Sequence, residues 1–274
     1  MLFRSAQAKS EIDAFFAKRY NIEKNQLRPW HYQNRFFQEA PKIYEVDLDA
    51  YFKDKDVVEI TRAYYEGLGL SMDDIFKKSD LYEKPGKYQH AYCTDIDRSG
   101  DVRVVCSVKP DHNWMATLLH EYGHAAYAKY NDLSLPWVLR DAAHIFTTEA
   151  IAMMMERFAS NPLWLKEVIG ISEEESRKIA QPSSHSLRLG MLVFSRWSQV
   201  MYRFEKSLYE NPEQDLNKLW WDLVEKYQSL EKPEGRNEPD WASKIHIATV
   251  PAYYHNYLMG DLLASQLLHH INTK

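Results

Sequence analysis

Two histidines four residues apart, with a glutamate directly after the first, carry the most specific chemistry in this chain. The stretch "TLLHEYGHAAYAKY", residues 117–130, contains His120, Glu121 and His124. Residues four apart on a helix share a face, so His120 and His124 can present two imidazoles to one point. Glu121 is rotated by about 100° from His120. It stands too far round to be a third close ligand, yet it can reach a water held at that point. This is the chemistry of an H-E-x-x-H helix: two zinc ligands and a general base. Downstream, "HIFTTEAIAMMMERF" sets Glu149 among Ala150, Ile151 and Met153 of a second apolar helix. A carboxylate there is costly unless it meets a cation. His120, His124 and Glu149 are therefore the expected ligands of one Zn2+ per chain. Three protein ligands, with the fourth position left to water, are the pattern of a catalytic site.

The elements that must position these groups are mostly helical. Met115, Leu118, Leu119, Ala125, Ala126 and Tyr127 make the first helix a buried one. Gly123 inside it weakens a helix by about 1 kcal/mol relative to Ala, and close packing on a neighbour is the usual reason for such a residue. Asn161-Pro162, Ser172 with Glu175, and Asn211-Pro212 read as helix starts. The runs after them, "HSLRLGMLVFSRWSQVMYRFEKSLY" and "LNKLWWDLVEKYQSL", space their apolar residues three and four apart. Residues 230–242, "LEKPEGRNEPDWA", read as a loop.

One segment reads as strand. "QHAYCTDIDRSGDVRVVCSV", residues 89–108, has β-branched residues on both sides of a turn signal at Arg98-Ser99-Gly100-Asp101. A hairpin folded between Ser99 and Gly100 sets Cys93 opposite Cys106. That register permits a cross-strand disulfide in an oxidising compartment, and two small buried thiols are the plainer reading. The expected fold is mainly α, a helical zincin-type metallopeptidase with a small β-hairpin beside the H-E-x-x-H helix. Residues 1–59 form a helical lead-in and residues 60–274 the catalytic region.

Composition narrows the class. With 274 residues, 45% of them apolar, the chain can bury a sizeable core. A net charge of −5 gives no reason to expect a nucleic-acid partner, which would favour a basic face. No apolar run is long enough for a transmembrane segment. The first residues lack the pattern of a leader peptide, and the compartment stays open: periplasmic or secreted if a longer precursor carries one.

Several blocks in the same order make the sequence resemble the angiotensin-converting-enzyme family of zinc peptidyl-dipeptidases. They are "HEYGHAAYAKYNDLSLPWVLRDAAHIFTTEAIA", the "QHAY" segment thirty residues before His120, "LWWDLVEKYQSL", and "KIHIATVPAYYHNYLMGDLLASQLLHHI" with its Lys-x-His and Tyr-x-x-Tyr pairs. The resemblance covers roughly residues 60 to 274. It implies that Glu121 deprotonates a zinc-bound water, and that His246 and Tyr257 hydrogen-bond the tetrahedral intermediate. It implies further that Lys244 and Tyr254 hold the substrate's C-terminal carboxylate. His90, Ala91 and Cys93 would contact the backbone of an oligopeptide substrate. By residue type alone, Tyr254 and Tyr257 read as core aromatics, Lys244 as a solvated cation, and His246 equally as core histidine or ligand.

The sequence departs from the family in three respects. The Asp expected four residues after the glutamate ligand is Met153, so the partner that orients a zinc histidine must come from elsewhere, with Asp141 a candidate. The family's chloride-binding arginines fall on Val224 and Asn256, so chloride activation is not expected. Family catalytic domains are about twice this size, so a missing N-terminal half or a second chain could complete the cleft. The resemblance implies release of C-terminal dipeptides. An oligoendopeptidase of the same clan and a catalytically incompetent zinc- or peptide-binding fragment are the alternatives.

Overall fold

The computed structural model describes residues 2–44 and 46–274, with side chains from residue 6 onward; Met1 and Glu45 of the expected lead-in lie outside the described residues. Among them are ten α-helices and one two-stranded antiparallel sheet, a mainly α fold. The chain forms two compact units, each built from separated segments. One runs up to Tyr44 and resumes with Ser184–Leu258, and the other comprises Val46–Ser183 and Met259–Lys274.

In chain order the helices are α1 (Leu2–Tyr20), α2 (Val57–Gly67), α3 (Asp73–Lys78), α4 (His112–Lys129) and α5 (Ile145–Glu156). They continue with α6 (Pro162–Trp164), α7 (Glu173–Glu210), α8 (Leu216–Gln228), α9 (Ile245–Thr249) and α10 (His255–Thr273). Strands β1 (Tyr92–Asp95) and β2 (Val102–Val105) form the hairpin. Two of the three expected helix starts cap as the sequence indicates. Asn161 accepts from the amides of Leu163 and Trp164, and Ser172 and Glu175 close a reciprocal capping box. Asn211-Pro212 instead follows the end of α7 and turns the chain. The next helix begins at Leu216, capped by Asp215, whose carboxylate accepts from the Lys218 amide at 2.9 Å.

The unit containing α4 is organised around that helix. Met115, Leu118, Leu119, Tyr122 and Ala125 are fully buried, together with Tyr65 of α2, Val104 of β2 and Ala150 of α5. Burying each large apolar side chain contributes about 1.5–3 kcal/mol. The Tyr65 hydroxyl donates to the Leu119 carbonyl at 2.6 Å, and the Tyr122 ring stacks on Phe76 at 3.9 Å. Gly123 meets α5 so closely that a Cβ there would stand 2.8 Å from the Ala152 Cα. A Cβ at Gly260 of α10 would stand 2.8 Å from the Glu149 Cβ.

The hairpin forms with a register different from the expected one. Cys93 pairs with Val104, and Asp95 with Val102, so the loop is centred between Arg98 and Ser99. Asp97 sets that centre, because its carboxylate accepts from the amides of Ser99 at 2.8 Å and Asp101 at 3.3 Å. Arg98 and Gly100 take positive φ, +54° and +96°. Cys106 lies beyond the paired residues and donates its amide to the Asp80 carbonyl. Both cysteines are free thiols, and burial pushes the Cys106 thiol up to about 12.

The other unit packs Ile12 and Phe16 of α1 with Trp197 and Phe204 of α7 and Trp220 of α8. The Trp220 ring meets Trp197 and Phe204 edge-on at 5.8 and 5.2 Å.

The close contact at Gly123 and the open space at Gly190 predict opposite outcomes for replacement by alanine. Gly123→Ala gains helix propensity but must displace backbone, for a net destabilisation of about 1–2 kcal/mol. Gly190, in α7 with open space around its Cα, should instead stabilise by about 0.5–1 kcal/mol on replacement by Ala. Chemical denaturation midpoints of the two variants would check both signs.

Candidate active site

The antiparallel course of α4 and α5 brings the predicted metal ligands together. His120 and His124 turn their Nε2 atoms toward each other at 3.2 Å, and Glu149 Oε2 lies 3.6 and 3.7 Å from them. The three ligand atoms all fall within 4.8 Å of one another, a group that could hold a metal ion. In a tetrahedral zinc site with bonds of about 2.0–2.1 Å, ligand atoms are separated by roughly 3.3 Å. The observed separations are close to that value, so this donor set fits zinc. Glu149 is 2% exposed, and the two imidazoles are largely covered.

The other ring nitrogens are also engaged from α5. His120 Nδ1 lies 2.9 Å from Glu156 Oε2, and His124 Nδ1 lies 2.7 Å from the Thr148 hydroxyl. A carboxylate only accepts, so the His120 proton belongs on Nδ1, which leaves Nε2 for the centre. Neither partner belongs to a recognisable motif, and sequence reasoning missed both. Met153 packs with the hydrophobic core, and Asp141 pairs with Arg98 at 2.9 Å instead of orienting a ligand histidine.

Glu121 is 7% exposed, on the buried side of α4. Burial pushes its carboxyl up to about 7, opposed by His120 and reinforced by Glu149 and Glu156. Burial, with the His120 ring adding to it, pushes His124 down to about 3, which keeps it neutral as a ligand must be. At His120 burial also disfavours the cation, but Glu156, Glu121 and Glu149 outweigh it and raise the metal-free ring to about 9, so a metal at Nε2 would have to displace a proton there.

His90 and Ala91 lie just before β1, and Cys93 lies within it, in the same unit as the ligands. Glu121 contributes to raising the Cys93 thiol, after burial as the larger cause. The remaining predicted residues gather in the other unit. His246 Nε2 and the Tyr257 hydroxyl are 3.3 Å apart, and the Tyr254 ring lies 5.0 Å from His246 and 5.2 Å from Tyr257. The Tyr254 hydroxyl accepts from Trp197 Nε1 at 2.6 Å. Lys244, 8% exposed, donates to Gln38 Oε1 at 2.6 Å and stands 5.3–5.6 Å from the rings of Phe36, Trp197 and Tyr254. Burial lowers its ammonium to about 8. Gln38 had no signal in the sequence, because its partner is 206 positions away. Val224 of α8 and Asn256 of α10 are both buried. No helix among the described residues is long and apolar enough to cross a membrane.

Comparison with known proteins bears on the same arrangement. The angiotensin-converting enzyme of Rattus norvegicus is 26% identical over 219 residues, covering 76% of this chain and 16% of that protein. That of Mus musculus is 27% identical with the same coverage. The angiotensin-converting enzyme of Theromyzon tessulatum is 24% identical over 219 residues, covering 76% of this chain and 35% of that protein. The chain thus spans well under half the length of these relatives. Residues 29–273 match the angiotensin-converting enzyme family profile. Since that match takes in α4, α5 and nearly all the rest, the chain belongs to the angiotensin-converting enzyme family of peptidases.

Proposed function

We propose that this chain is a zinc metallopeptidase that releases C-terminal dipeptides from oligopeptides. The observation that carries the reading is the convergence of His120, His124 and Glu149 with Glu121 beside His120 in the same helix, in a chain of a peptidase family. Zinc held by the three ligands would supply a Lewis acid that polarises the scissile carbonyl and acidifies water. Glu121 takes a proton from the attacking water and returns it to the leaving amine. By the roles the family resemblance implies, Tyr257 and His246 would donate to the developing oxyanion.

Lys244 and Tyr254 receive the C-terminal carboxylate. Lys244 has three N–H donors and gives one to Gln38, and Trp197 uses a lone pair of the Tyr254 hydroxyl, so protons remain for a substrate. A fixed carboxylate receptor favours exopeptidase action over an oligoendopeptidase. His90, Ala91 and Cys93 lie along the substrate backbone, which adds as a further strand at the hairpin. The chain's short span relative to its relatives favours one second reading. In it the site takes up zinc but cleaves only when a further segment or chain completes the cleft.

Mass spectrometry of an N-blocked tetrapeptide incubated with the zinc-loaded chain should show the C-terminal dipeptide. Glu121→Gln should lower the rate by about 10²–10⁴-fold. Zinc uptake without cleavage would favour the second reading, and unchanged cleavage of the C-terminal amide would favour an oligoendopeptidase. Lys244 is charged below about 8 and neutral above it, so kcat/KM for the free acid should fall as pH rises through that value. Lys244→Met should abolish this alkaline limb and raise KM by roughly 10- to 100-fold, the worth of a hydrogen bond to a charged group. Replacing acetate by chloride at fixed ionic strength should leave the rate unchanged, and an increase would contradict the assignment of Val224 and Asn256.

A further inference from the structure

Helix α5 carries more than the ligand Glu149. Thr148, Glu149 and Glu156 all face the histidines of α4: Glu149 with its carboxylate toward both Nε2 atoms, the other two at the Nδ1 atoms. We propose that Glu156 and Thr148 are the positioning residues of the metal centre. Glu156, two turns beyond Glu149, then supplies the acceptor that Met153, one turn beyond it, cannot. This proposal rests on the reading of His120, His124 and Glu149 as zinc ligands.

The geometry accounts for the division of labour. His120 and His124 are about 6 Å apart along α4, whereas Thr148 and Glu156 are about 12 Å apart along α5. Because the helices run antiparallel, the two partners lie beyond the ends of the histidine pair. The short Thr148 side chain reaches its imidazole directly, and the longer Glu156 reaches back across one turn. Gly123 against Ala152 occupies the space between them. Each Nδ1 contact fixes the rotation of its ring, so that both Nε2 atoms point to one place. The two partners differ chemically. Glu156 is a half-exposed carboxylate, at 46%, and strengthens His120 as an electron donor. Thr148 is a neutral hydroxyl that orients His124 without that added basicity. Removing the partner of His120 should therefore cost more than removing the partner of His124.

The test measures zinc affinity of the purified chain by competition with a chromophoric chelator. Visible spectra of the Co2+-substituted forms are recorded alongside, and the circular dichroism and thermal midpoint of the metal-free proteins serve as structural controls. Glu156→Gln should weaken zinc binding roughly 10- to 100-fold and shift the Co2+ bands, with the metal-free midpoint unchanged. Adding Met153→Asp to that variant should recover most of the loss. Thr148→Val should weaken binding severalfold, and Thr148→Ser should not. The proposal is overturned if Glu156→Gln binds zinc within about twofold of the parent, the loss being far below that of a true orienting partner. It is equally overturned if affinity falls only together with the metal-free midpoint and Thr148→Ser behaves like Thr148→Val. A parent chain that binds zinc no better than His120→Ala would instead refute the ligand assignment itself, and this proposal with it.

Discussion

The contact between Gly123 and the backbone of Ala152 is the constraint on which the centre depends. Packed helices ordinarily stand about 8–10 Å apart, according to the side chains between them. Here no Cβ separates α4 from α5, and one at Gly123 would intrude to 2.8 Å. The histidines of one helix are thereby held against the glutamate of the other. Gly260 of α10 approaches α5 at Glu149 itself. Helix α5 is thus gripped at two neighbouring positions by residues without side chains. Metal–ligand distances tolerate deviations of only about 0.2 Å, so the backbone approach, more than any single hydrogen bond, sets whether the three donors converge.

Much of this was legible in the sequence because it follows from helix periodicity. His120 and His124 declare their shared face by spacing alone, Glu149 stands out as a charge in an apolar run, and Gly123 breaks helix propensity where packing must compensate. The capping pairs at Asn161 and Ser172 are local, and they appear as the sequence indicates. What failed depended on competition or distance. Asn211-Pro212 lost its helix start to Asp215, four residues after Asn211, and Asp97 drew the hairpin loop one residue earlier than glycine placement indicates. Glu156, Thr148 and Gln38 could not be read, because their partners are fixed by how helices pack and not by any spacing along the chain.

Buried ionisable groups are concentrated at the predicted site residues in both units. Glu121 and Glu149 lie under the surface of one, and Lys244 lies among aromatic rings in the other. Taking such charges out of water costs several kcal/mol apiece before any compensation. A fold selected for stability alone would place apolar residues at these positions. A bound ion or charged ligand at such a position would offset the loss of solvation, whereas Glu205, also buried, is satisfied within the fold by the Ala252 amide.

The arrangement on α4 and α5 also bears on how the protein acquires its shape. The three side chains that could hold a metal ion, and the two that contact the histidine Nδ1 atoms, lie between His120 and Glu156 on two helices joined by one connection. Closing so short a loop costs little chain entropy, and contacts of low sequence separation form fast. The helical hairpin can therefore assemble early in folding, ahead of the long-range contact between Gly260 and Glu149. A dication captured at that stage would act as a staple on the nascent core, coupling metal uptake to the folding pathway as well as to the finished fold.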